Sequence, residues 1–122
     1  MYLVNVEIKA TQSGYKAKMS FTDNKDKLHE KLIETERKAS MQSNYLAGLI
    51  AVLEALQKPC NMSIYSYSDY IVEPIRQGWL QSWAQHDWKN AKGKTVRNAQ
   101  QWQQVKKLLA PHAVRFIKNK ED

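Results

Sequence analysis

The sequence predicts an α/β fold: a five-stranded mixed sheet, three antiparallel strands followed by parallel crossovers, with helices on its faces. Three observations predict it. Two alternating segments joined by Ser13-Gly14 open the chain, a nearly all-apolar helical stretch follows at 44–57, and two further strand-like segments each come after helical ones. A strand that follows a helix in this order returns parallel to its neighbour through a crossover.

Residues 2–10, YLVNVEIKA, are rich in β-branched and aromatic types and read as the first strand. Ser13-Gly14 is a turn signal. In 15–22, YKAKMSFT, Tyr15, Ala17, Met19 and Phe21 alternate with Lys16, Lys18, Ser20 and Thr22, the pattern of a half-buried strand. Asp23-Asn24 makes the next turn. Residues 27–38, KLHEKLIETERK, suit a third hairpin-linked strand by position and a helix by their Glu and Lys content. In 44–57, NYLAGLIAVLEALQ, Leu46, Leu49, Ile50, Leu53 and Leu56 follow helical spacing, and Glu54 alone is charged. A helix this apolar must be covered on two sides, by the sheet and by another helix. Ser43 or Asn44 is the expected cap and Pro59 the stop. Residues 61–67, NMSIYSY, form a strand. Ser68 or Asp69 then caps a turn, and Pro74 is expected at the first position of a fresh helix. Trp79 and Trp83 share one helical face and are expected to pack on the sheet. Residues 85–97 hold Gly93 and four cations without periodicity, a loop. Asn98 is the expected cap of an amphipathic helix with Ala99, Trp102, Val105 and Leu109 inward, stopped by Pro111. HAVRFI, 112–117, is the last strand.

With 122 residues, 43% hydrophobic and 25% charged, the chain reads as one globular domain, 1–122, and not as a disordered segment. No apolar run approaches the roughly 18 residues of a membrane span, and MYLVNVEIKA is not a secretory leader, so no membrane partner is expected. The single cysteine, Cys60, forms no internal disulfide and points to a cytoplasmic setting; it reads as a buried small hydrophobe. His29, His86 and His112 lack the spacing of a zinc site. The net charge is +7, and residues 84–122 hold nine basic against three acidic groups. That asymmetry fits a polyanion partner, or a face that only confers solubility.

Three strings carry a resemblance. LAGLIAVLEALQ (46–57), CNMSIYSYSDYI (60–71) and above all IRQGWLQSWAQHDWKNAKGKTVRN (75–98) with Trp102 resemble the type I ribonuclease H family. The family shows three tryptophans, a Lys-rich loop and a V-K/R-N string before an amphipathic helix. The resemblance implies an RNase H-like fold, and places the family's last helix after residue 118, so a fold without that C-terminal helix is expected. It also implies chemistry by carboxylates around Mg²⁺ ions. At the matching positions this chain carries Thr11, Tyr45 and Tyr67 in place of three of the acids. Glu7 lies about 13 Å along the strand from Thr11, too far to substitute. No catalytic residue, metal site or cofactor is therefore expected.

By the same resemblance Lys89, Lys92, Lys94 and Arg97 form the protrusion that grips the DNA strand of a hybrid, and Trp79 touches its backbone. Gln42 and Asn44 fall where the family reads the minor groove and 2′-hydroxyls. The first expectation is a catalytically inactive domain that binds nucleic acid, an RNA–DNA hybrid or A-form duplex. The second is a protein-interaction or homodimer scaffold of the same fold. The third is a metal-dependent ribonuclease H completed by acids from a partner chain.

Overall fold

The computed structural model describes residues 2–23, 25–56, 58–66 and 68–118. Met1, Asn24 of the expected Asp23-Asn24 turn, Gln57, Tyr67 and the last four residues lie outside them. The elements follow the expected order: β1 (Tyr2–Thr11), β2 (Gly14–Thr22), β3 (Leu28–Glu36), α1 (Met41–Ala55), β4 (Cys60–Ser66), α2 (Asp69–Arg76), α3 (Trp79–Gln85), α4 (Ala99–Leu109) and β5 (Ala113–Lys118). The sheet order is β3-β2-β1-β4-β5. The first three strands pair antiparallel, and β4 pairs parallel with both β1 and β5. The fold is RNase H-like.

Alternation along β1 divides the sheet. Val4, Val6, Ile8 and Ala10 are buried toward α1, while Leu3, Asn5, Glu7 and Lys9 are exposed on the other face. The ambiguous 27–38 segment is a strand because β2 offers it a nine-residue partner, with Lys16 opposite Glu34 and Lys18 opposite Leu32. Pairing partners outweigh the weak helical preference of Glu and Lys.

Helix α1 packs on β1 and β2 and is covered by α4. Gly48 makes the approach to the sheet possible: a Cβ there would sit 3.2 Å from Ile8 Cγ2 and 3.3 Å from the Tyr15 ring. Trp102 of α4 is fully buried. Its indole meets Trp83 edge-on at 5.9 Å, and its Nε1 donates to the Tyr70 hydroxyl at 3.3 Å. Truncating so large a buried ring costs about 3–5 kcal/mol, several times the worth of a helix cap. No described helix is long and apolar enough to cross a membrane.

Four local expectations are corrected. Helix α1 starts at Met41, and Ser40 caps it by accepting from the Ser43 N–H at 3.1 Å. Ser43 and Asn44 lie inside the helix, because their side chains have other partners. Pro74 sits inside α2, which Ser68 caps. Its ring removes only the bond to the Tyr70 carbonyl, and the helix ends two residues later. Asn98 precedes α4 in a left-handed conformation with no side-chain cap bond; its amide donates instead to the Tyr70 hydroxyl at 3.1 Å. Trp79 is 48% exposed and is not part of the core, whereas Trp83 packs against it.

The β2–β3 turn is held by one carboxylate. Asp23 Oδ1 accepts from the Lys25 and Lys27 N–H groups at 2.8 and 3.0 Å, and Oδ2 lies 2.8 Å from His29 Nε2. The hydrogen bond from His29, then those from Lys27 and Lys25, holds the Asp23 carboxyl below its ordinary value. A lowered carboxyl pKa stabilises the fold above the unfolded-state value, about 3.9, and that contribution fades as pH falls through the native one. The expected outcome for Asp23→Asn is a shallower loss of stability on acidification below about pH 4, read as urea midpoints across pH. Superimposable acid limbs for the two proteins would contradict it.

Candidate functional site

The end of β1 meets the first turns of α1. Asn44 is fully buried there. Its amide donates to the Thr11 carbonyl at 2.7 Å and the Arg37 carbonyl at 2.8 Å, and its Oδ1 accepts from Arg37 Nη1 at 2.9 Å. The same guanidinium nitrogen donates to Ser43 Oγ at 3.0 Å, and Ser43 Oγ donates on to Gln101 Oε1 at 2.9 Å. Gln101 Nε2 returns a bond to the Ser43 carbonyl at 3.1 Å. Asn44 thus ties β1, the β3–α1 connection and α1 together, and both of its donors are used. This places it away from ligand reading, whereas Gln42, half-buried in the first turn of α1, faces partly outward.

Two of the three positions where the resemblance expects carboxylates are described. Thr11 is exposed, and its hydroxyl accepts from the Ser13 N–H at 3.1 Å. Tyr45 is 4% exposed and belongs to the core. Neither supplies the charged oxygens that Mg²⁺ prefers. Among the described residues no group of three or more His, Cys, Asp or Glu side chains is placed to hold a metal. Neither of these two described positions offers a carboxylate to the family's magnesium pair. Cys60 is buried as expected, and its N–H donates to His112 Nδ1 at 3.0 Å.

The basic residues come together on a built loop between α3 and α4. Asn90 organises it: its Oδ1 accepts from the Lys92 and Lys94 N–H groups at 2.9 and 3.1 Å, and its own N–H donates to the Lys94 carbonyl at 2.8 Å. Gly93, at φ +77°, closes the turn where a side chain would strain it. Lys89 bridges Thr95, and the Val96 N–H donates to the Trp88 carbonyl at 2.9 Å, burying Val96 as the loop's root. Lys89, Lys92, Lys94 and Arg97 are exposed, and none is in an ion pair among the described residues.

Beside the loop runs a groove of about 440 Å³ lined by Trp79, Trp83, Tyr70, Asn90, Val96 and Arg97, with Glu73 and Pro74 also in its wall. The Tyr70 hydroxyl donates to the Arg97 carbonyl at 3.1 Å while accepting from Asn98 and Trp102. The structure brings Trp79, named by the resemblance, together with Asn90 and Arg97 around this groove; sequence reasoning named neither Tyr70 nor Asn90. An Asn three residues before a Gly was a turn signal that could have found Asn90. Nothing local marks Tyr70, whose partners lie 27 to 32 residues away.

Comparison with known proteins adds three findings. The RNase H family model matches residues 7–120. The chain is 43% identical over 75 residues to a ribonuclease H of Chlorobium luteolum, covering 62% of this chain and 51% of that protein. It is 35% identical over 89 residues to a ribonuclease H of Thermus thermophilus, covering 72% and 54%. The chain thus spans about half the length of the curated relatives it matches. Among solved structures, LC9-RNase H1, a type 1 RNase H with the type 2 active-site motif, superposes with a TM-score of 0.84 at 18% identity, covering 98% of this chain and 64% of that one. LC11-RNase H1 in complex with an RNA/DNA hybrid superposes at 0.60 with 14% identity, covering 98% and 85%.

Replacing Asn44 by Ala removes both donors from two carbonyls and one acceptor from Arg37. The expected cost is about 2–3 kcal/mol in urea unfolding. A cost under about 0.5 kcal/mol would mean that the amide is not the tie described.

Proposed function

The chain belongs to the RNase H family, and from that premise we propose that it binds an RNA–DNA hybrid or A-form duplex through the basic loop without cutting it. The observation that carries the reading is a set of four exposed cations, outside any described ion pair, on a loop whose backbone Asn90 fixes beside an exposed indole. Cations at Lys89, Lys92, Lys94 and Arg97 meet successive phosphates and release condensed counterions. Trp79 offers a flat apolar surface to a sugar edge, and the groove floor of Trp83 and Val96 excludes water beneath it. The RNA/DNA hybrid held by LC11-RNase H1, a protein of the same fold, supports this ligand class.

The absence of cleavage rests on the donor set. Thr11 and Tyr45 hold no carboxylate, and the Tyr45 side chain is buried in the core. The same burial favours one second reading, a scaffold in which this fold serves protein contacts. The binding of a homodimer mate or partner chain belongs to that reading; a metal-dependent ribonuclease H whose acids a partner supplies is a separate third alternative. A reducing cytoplasmic setting is part of the proposal and rests on the lone Cys60.

Fluorescence anisotropy on a labelled hybrid tests it. Binding is expected to weaken steeply between about 50 and 200 mM salt. Changing Lys89, Lys92, Lys94 and Arg97 together to Ala is expected to lower the log–log salt slope by about 3 to 4. Unchanged affinity in that variant would end the binding reading. Incubation with Mg²⁺ or Mn²⁺ is expected to leave the hybrid intact, and cleavage by highly purified chain would overturn the inactive reading.

A further inference from the structure

A second cavity lies at the far end of the sheet from the basic loop. It has a volume of about 410 Å³, within the range of small-molecule sites. It exists because α1 ends at Ala55 and Leu56 turns extended, while the sheet surface it covers runs on to Val4 and Phe21. The floor is apolar: Val4, Met19, Phe21, Ala55, Leu56 and Cys60. The ring of Phe21 stacks on His29 at 4.8 Å, with 14° between the planes, making one wall flat.

We propose that this cavity binds a small apolar molecule bearing one carboxylate, with the tail on the floor and the anion between Lys31 and Lys58. The charge on the rim favours that ligand. Asp23 is occupied by His29 and two backbone N–H groups, and Glu30 pairs with Lys18 at 3.7 Å. Lys31 and Lys58 have no ion pair among the described residues, so the uncommitted rim charge is positive. Burial raises the Cys60 thiol above its ordinary value, and its Sγ donates to the Lys58 carbonyl at 3.1 Å, so the floor carries no charge of its own. A phosphate-rich ligand would leave this floor unused, and a neutral hydrocarbon would gain nothing from the two exposed ammonium groups.

The test uses the full chain and three probes: dodecanoate below its micelle concentration, 2-naphthoate and dodecanol, by titration calorimetry. One-to-one binding of either acid, weakened about tenfold or more in Lys31→Glu/Lys58→Glu, supports the site, and the better acid tells a chain from a ring. Ala55→Trp, checked for folding by circular dichroism, is expected to abolish it by filling the floor. Dodecanol binding as tightly as dodecanoate would overturn the anion site, as would an acid affinity indifferent to the charge reversals or no binding by either acid. Hybrid affinity in the two lysine variants is expected to stay unchanged, which separates this site from the basic loop.

Discussion

Helix α1 has almost no polar surface to give to water, and the rest of the structure is arranged around that fact. One side lies on β1 and β2, where Gly48 brings the backbone close to Ile8 and Tyr15. The other side needs a second cover, and α4 supplies it with Trp102 and Val105 buried and Gln101 and Gln104 bonded to Ser43 and Glu54. Once α4 is committed to α1, the loop that enters it has a fixed root. The basic residues are therefore held by the same burial that stabilises the core.

The two ends of the molecule differ in chemistry because of what each does with its polar groups. At the β1–α1 junction, Asn44, Ser43, Arg37 and Gln101 bond one another, and Tyr45 packs inward. That junction is a tie between elements. Along the α3–α4 loop, side-chain amides and carbonyls bond the backbone instead, leaving the ammonium and guanidinium groups outward. The polar groups of the junction are thus spent on one another, while the cations of the loop stay exposed.

Much of this was legible in the residues. The other eight of the nine elements follow from alternation, from helical spacing and from turn residues, each a local property. The third strand was not, because Glu and Lys are compatible with either structure and only β2 decides. Trp79 and Trp83 have the same spacing argument behind them, yet one is exposed and one packed, since α3 is only two turns long and α4 covers just part of it. The candidate cations were visible as composition. Their support, Asn90 and Tyr70, was not.

The sequence by itself determined the strand and helix order, the buried central helix, the clustered positive charge and the lack of acids at Thr11 and Tyr45, because each depends on residue type at short range. Tertiary structure alone decided that Asn44 is a clamp, that Tyr45 is buried in the core, that Tyr70 anchors the loop and that a cavity opens past the end of α1. Those outcomes depend on contacts between residues far apart in the chain, and no local pattern encodes which distant group will arrive within hydrogen-bonding reach.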